Sequence, residues 1–166
     1  YNASNVEINS SVIMNWYQGM YINPSSNIVI EENTLELNNV GIGSDGLNDV
    51  SIIRNQFKNN IFEDWGSSNV GVSVSAQYNT FTHGEDSACR AVAHYSGNMI
   101  NATCNWWGSA DPAVIAGKVS GLVDWSPFWI TAVGPCDGNA PVRNTTIDLP
   151  YATIQAAFDD LYALDK

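Results

Sequence analysis

Apolar residues return along the first hundred positions with a fixed interval. Val6, Ile28, Val50 and Val72 stand 22 residues apart, and Ile8, Ile30, Ile52 and Val74 keep the same spacing. A third column runs Ile13, Leu35, Phe57 and, after two inserted residues, Phe81. A polar column lies two positions ahead of it at Ser11, Asn33, Asn55 and Asn79, and Asn98 with Ile100 reads as its continuation after a shorter coil. Within each period the apolar stretches are short, β-branched and alternating, as in Val6-Glu7-Ile8 and Val50-Ser51-Ile52, which is strand periodicity. The stretches between them carry Asn, Ser, Gly and Asp, the residues that turns require.

A repeat of this length with several short strands predicts a parallel β-solenoid. Helical repeats need about 33 residues or more, and a leucine-rich repeat would carry several leucines per unit. Stacked at the interstrand spacing of ~4.8 Å, residues 3–107 make about five coils and a rod of roughly 24 Å. The Asn column then reads as an internal amide ladder at a turn, each side chain bonding its neighbour and satisfying backbone groups. A row of substrate-contacting amides is the sharper alternative.

Composition narrows the classes. Of 166 residues 45% are apolar and only 14% charged, against roughly 25% charged in a typical soluble chain. Polarity comes instead from uncharged groups, including 20 Asn. Coiled coils, charge-laced bundles and disordered acidic tails are thereby excluded. The net charge of −11, with six scattered cations, excludes nucleic acid, which needs clustered Lys and Arg. No apolar run approaches the ~18 residues of a membrane span.

Cys89, Cys104 and Cys136 have no metal-site spacing. One disulfide with a leftover thiol, or three buried thiols, are both open readings, and any two of the three can be the pair. Asn2, Asn9, Asn101 and Asn144 each open an Asn-x-Ser/Thr glycosylation triplet. With a disulfide they point to an extracellular or cell-surface location.

Two segments carry a family resemblance. Asn101-Ala102-Thr103-Cys104-Asn105-Trp106-Trp107-Gly108-Ser109 and Val119-Ser120-Gly121-Leu122-Val123-Asp124-Trp125-Ser126-Pro127-Phe128 resemble the ending of right-handed parallel β-helix proteins of the pectin-lyase-like superfamily. The resemblance covers about residues 3–129 and implies the fold but no single activity. Trp106, Trp107, Trp125 and Trp129 are expected to plug the open end of the solenoid, with sugar stacking as the alternative. Pro150-Tyr151-Ala152-Thr153-Ile154-Gln155-Ala156-Ala157-Phe158 is similar to the segment with which members of that superfamily begin, where a helix caps the first coil. Here it comes last. Ile154, Phe158 and Leu161 form an apolar stripe, and Thr153 is the candidate cap.

The expected organisation is an all-β, right-handed parallel β-helix over 1–129, a linker over 130–150 and a capping-type helix over 151–166. The displaced cap has three destinations: its own first coil, the next subunit, or the start of a following β-helix in a tandem array. The last two share one physics, completion of a neighbouring unit. Val6, Ile8 and Ile13 of the uncapped first coil, with Ile154, Phe158 and Leu161, are therefore the expected assembly interface, and identical subunits or tandem copies the expected partners.

The enzymatic alternative rests on Thr82-His83-Gly84-Glu85-Asp86 with Arg90 nearby. His83 would be a general base, and Glu85 and Asp86 an acid/base pair or Ca²⁺ ligands. The competing reading is an exposed acidic loop between coils. His94 alternates with core positions and reads as a packed histidine. Glu31-Glu32 and Glu63-Asp64 are 32 residues apart, not a multiple of the repeat, so they form no single site. Tyr17, Tyr21, Trp65 and Tyr78 are candidate sugar-stacking aromatics for a glycan-binding alternative. No cofactor is expected; Ser44-Asp45-Gly46 and Asp137-Gly138-Asn139 leave open weak Ca²⁺ binding.

Overall fold

The computed structural model describes residues 4–82, 89–139, 142–144, 149–154 and 156. The chain winds into a parallel β-solenoid of about five turns. Its first coil contributes β1 (Ser4–Asn9), β2 (Val12–Met14) and β3 (Gln18–Ile22), and its second β4 (Ser25–Glu31), β5 (Thr34–Glu36) and β6 (Val40–Asp45). The third adds β7 (Leu47–Ile53), β8 (Gln56–Lys58) and β9 (Glu63–Ser68), and the fourth β10 (Val74–Gln77), β11 (Thr80–Thr82) and β12 (Arg90–His94). Short β13 (Ile100–Asn101), helix α1 (Pro112–Lys118), β14 (Val119–Ser120) and β15 (Val123–Asp124) close the rod. Three parallel sheets result, in the orders β1-β4-β7-β10-β13-β15, β2-β5-β8-β11 and β3-β6-β9-β12-β14.

The columns fill the interior. Val6 pairs with Ile28, Ile28 with Val50 and Val50 with Val74, while Ile13, Leu35, Phe57 and Phe81 stack one per coil. Phe81 lies between Phe57 and Trp107, with ring centroids 5.0 and 4.9 Å away and planes tilted by 13°. Such offset stacks add to the burial of the rings themselves.

Two columns differ from the sequence expectation. Val74 and Ala76, not Val72 and Val74, continue the first sheet, and Val72 is 59% exposed. A slip of two leaves every side chain on the same face, so alternation alone cannot detect it. The extra residues enter before β9, where Val40 meets Glu63, and between β9 and β10. Likewise Asn98 is exposed and Ile100 belongs to the first sheet, opposite Val123. Asn105 continues the Asn column instead, and Trp107 the aromatic one.

Corners are built from residues with positive φ. Ser10, Glu32, Arg54, Tyr78 and Cys104, with φ of 49, 56, 55, 59 and 58°, each precede a ladder position. A left-handed residue other than glycine costs roughly 1–2 kcal/mol. It also turns the backbone away from the sheet and leaves amide and carbonyl groups unpaired inside. The asparagines take them. Asn55 Oδ1 accepts from Asn33 N and Nδ2 at 3.0 Å, and Asn55 Nδ2 donates to Ile30 O at 2.8 Å and Ile53 O at 3.0 Å. Asn79 and Asn105 repeat the arrangement one and two coils on. The column is thus an internal ladder, with its amides buried.

A second ladder follows Asn15, Leu37 and Asn59, also at positive φ. Asn38 Oδ1 accepts from Trp16 N, and Asn60 Oδ1 accepts from Asn38 N, both at 3.0 Å. Past the rod, β16 (Val142–Asn144) and β17 (Leu149–Tyr151) form an antiparallel pair within the region read as linker and at its boundary.

The ladder sets a measurable cost. Asn55→Ala leaves two donors of Asn33 and the carbonyls of Ile30 and Ile53 without their partner, and is expected to destabilise by about 3–5 kcal/mol in urea unfolding. Gln56→Ala, one residue on and exposed, is expected to stay within about 0.5 kcal/mol.

Candidate functional site

The two ends of the rod are unlike. At the first coil β1, β2 and β3 are each terminal in their sheets, so among the described residues each presents a strand edge with no neighbour. Val6, Ile8 and Ile13 there are only half-buried, and Val12 is 68% exposed. A groove of about 230 Å³ opens beside Val6, Ile8, Tyr21, Ile22 and Ile28. At the other end Trp125 and Phe128 are buried against each other, 5.9 Å between centroids. Leu149 and Pro150 are buried as well, and β17 lies beside β15. The Cys104–Cys136 disulfide fastens this closing segment to the last full turn. Cys89, which lies outside that disulfide, is buried, and burial followed by the nearby Asp64 and Glu63 charges pushes its pKa upward.

A lateral groove of about 380 Å³ crosses the sheet of β3, β6, β9 and β12. Tyr21 of the first coil is in register with Gly43 and Gly66 of the next two. The polar ends of Gln18 and Glu63 lie over Gly43 and Gly66, in the space a side chain at either glycine would need. Tyr21 and Tyr95, 58% and 59% exposed, stand at opposite ends. The Tyr95 hydroxyl donates to Glu63 Oε1, which holds the phenol protonated above its usual range. Asp45 accepts from Asn69 at 2.7 Å on one wall.

Glu63 and Asp64, adjacent in sequence, face opposite ways. Glu63 lines the groove, whereas Asp64 is fully buried. Asn60 Nδ2 donates to Asp64 Oδ1 at 2.8 Å, so Asp64 ends the second ladder. Burial raises the Asp64 pKa well above the ordinary carboxylate value, against the opposing pull of the Asn60 hydrogen bond and the Lys118 charge. Lys118, half-buried, is shifted down by burial and donates to Trp107 O at 2.8 Å. His94 is buried too, and burial lowers its pKa; neither ring nitrogen, nor Ser67 Oγ beside it in register, has a well-formed partner.

The remaining expected positions are dispersed. His83, Glu85 and Asp86 lie outside the described residues, as do Phe158, Leu161 and Asn2. Glu31 and Glu32 hold Arg54 at 2.5 and 3.2 Å, a surface cluster on the first ladder's corner. The aromatic strip does not form: Trp65 is fully buried with Nε1 on Ser44 Oγ, and Tyr78 tilts against Trp129. Trp107 is part of the core stack, while Trp106 and Trp129 are half-buried near the closing end. Asn9 and Asn101 are exposed, and Asn144 falls at the end of β16. Among the described residues no three His, Cys, Asp or Glu side chains are grouped to hold a metal ion, and no helix is long and apolar enough to cross a membrane. Sequence reasoning missed Tyr95, Lys118, the separate placement of Asp64 from Glu63, and the second ladder. Asn38 and Asn60 keep the 22-residue interval, so that ladder was signalled.

No family model, curated protein or solved structure matches the chain.

Asp64 generates a pH prediction. Its pKa is higher folded than unfolded, so its contribution is complete below the unfolded value of 3.8 and is lost as pH rises through the folded one. Asp64→Asn keeps an acceptor for Asn60 without a charge to bury. The variant is expected to melt about 3 °C higher at pH 7, and the gain is expected to vanish towards pH 4 in thermal scans.

Proposed function

We propose that this chain is an extracellular structural or surface β-helix module that assembles end to end with identical subunits or tandem copies, into a filament or surface array, its C-terminal helix capping the next unit. The observation that carries the reading is the open first coil. Three successive strand edges, with Val12 exposed and Val6, Ile8 and Ile13 half-covered, form an apolar, hydrogen-bonding face that soluble proteins do not leave bare. The opposite end is already covered, so the two faces differ and a heterologous contact propagates. A disulfide suits an oxidising compartment.

A second reading, a polysaccharide-binding or polysaccharide-degrading β-helix, draws on the lateral groove. Two exposed tyrosines on a groove lined by the polar ends of Gln18, Glu63, Asp45 and Asn69 suit a sugar chain laid along the rod.

Two measurements separate them. Light scattering is expected to report a mass that grows with concentration and with salt, which screens units of net charge −11. Phe158→Asp is expected to weaken association at least about tenfold, roughly 1.4 kcal/mol. A monodisperse 18.0 kDa particle before and after that change overturns assembly. In gels containing plant or microbial polysaccharides, retardation that disappears with Tyr21→Ala and Tyr95→Ala supports the glycan reading. Cleavage lost with changes at His83, Glu85 or Asp86 makes the protein an enzyme.

A further inference from the structure

We infer that the lateral groove is a binding site for a cationic saccharide, a chain of amino sugars whose protonated amines meet two carboxylates between two tyrosine rings. The inference rests on the glycan reading above and names the class of sugar. A rod can carry such a groove on its side and still join its neighbours at its ends.

The groove is assembled coil by coil. Tyr21 of the first coil is in register with Gly43 of the second, and Gly43 with Gly66 of the third. Gly66 pairs with Ala93 of the fourth, and Tyr95 stands two residues beyond. From Tyr21 to Tyr95 the groove therefore spans three coil steps, about 14 Å at the interstrand spacing. One step is close to the advance of a single pyranose ring along an extended chain. Both tyrosine rings are more than half exposed and offer faces for stacking.

A carboxylate occupies the middle. Glu63 Oε1 accepts from the Tyr95 hydroxyl, and Oε2 lies over Gly66, where a larger residue would displace it. The Gln18 amide lies over Gly43 in the same way and offers donors and an acceptor to sugar hydroxyls. Asp45 flanks them, its Oδ1 accepting from Asn69 Nδ2 at 2.7 Å. Each acid thus has one oxygen held by a neutral donor. Among the described residues neither has an ion-pair partner; the salt bridges there are those of Arg54 with Glu31 and Glu32. Arg90 is in register with Glu63 but sends its guanidinium the other way, to Ser120 Oγ of β14 at 3.4 Å. The residues lining the groove include no Lys or Arg.

Charge complementarity then sets the ligand. Two carboxylates without a counter-charge, on a chain of net charge −11, repel uronic-acid chains and attract amines. A protonated amine also gains from an adjacent tyrosine face. Rings at both ends, with amide and hydroxyl groups between them, fit a succession of hydroxyl-bearing rings better than flexible basic side chains.

The test is calorimetry on the whole chain with a glucosamine hexamer, its fully N-acetylated form, an oligogalacturonate and an oligolysine. The glucosamine hexamer is expected to bind at least about tenfold more tightly than the acetylated one, with the advantage shrinking as salt is added. The oligogalacturonate is expected not to bind. Glu63→Gln keeps an acceptor for Tyr95, and is expected to remove most of that advantage while leaving the acetylated hexamer within about twofold. Tyr21→Ala is expected to weaken both hexamers at least about fivefold. Equal or tighter binding of the acetylated hexamer, or an advantage that survives Glu63→Gln combined with Asp45→Asn, overturns the amine assignment and leaves the glycan reading intact. Oligolysine binding as tight as the glucosamine hexamer, and untouched by Tyr21→Ala, overturns the saccharide in favour of a basic peptide. If no hexamer binds, the inference is wrong; if polysaccharide gels show no retardation either, the glycan reading falls with it.

Discussion

A parallel solenoid must turn its backbone out of one sheet and into the next several times per coil, and each turn strips buried peptide groups of their partners. In this chain the corners are made by left-handed residues, and the groups they orphan are taken by asparagine amides stacked coil upon coil. Asparagine alone carries a donor and an acceptor on a stem short enough to reach the backbone of the preceding coil and the amide of the next. Everything else in the rod presupposes that solution. The aliphatic columns align only because the corners repeat, and the aromatic stack of Phe57, Phe81 and Trp107 occupies the position two residues after each rung of the first ladder.

Where a ladder stops is as informative as where it runs. In the sequence, Asn79 follows Asn55 by 24 residues, and the residue that follows Asn60 by the same interval is a glycine, which has no amide side chain to offer. The hydrogen of Asn60 that another amide would accept goes to Asp64 instead. A buried carboxyl is a poor substitute for an amide because it must be neutral or face an opposing charge, and Lys118 stands near enough to lower its pKa. The ladder thus ends on the most deeply buried acid of the described residues.

The fold was legible because burial imposes a period on sequence, and a 22-residue period in three columns leaves few architectures. What escaped was whatever the period does not encode. A register slip of two preserves the side-chain face, so Val72 and Val74 looked as good as Val74 and Ala76 until the turn between β9 and β10 was known. The interval of 26 residues to Asn105 hid the last rung behind a coil of unequal length. Glu63 and Asp64 face opposite ways as neighbours on a strand do, and the alternation then breaks at Asp64 and Trp65, which are both buried. The groove tyrosines come from coils too far apart, and of too irregular a length, for Tyr95 to be paired with Tyr21 by counting. Cys104 and Cys136 could not be chosen over Cys89 by spacing, since their partnership depends on how the segment after the last coil returns.

The left-handed corner beside the first ladder holds Ser10, Glu32, Arg54, Tyr78 and Cys104 in one vertical file, backbone fixed and side chains directed outward or half outward. Five unrelated chemistries occupy it at no change in the path of the chain. Such a file behaves as a rack: the scaffold prescribes the pitch of its slots and is indifferent to their contents. Surface chemistry along this edge is thus free to diverge slot by slot while the winding beneath it stays the same, and Cys104 is a slot that has been used to tie down the end of the molecule.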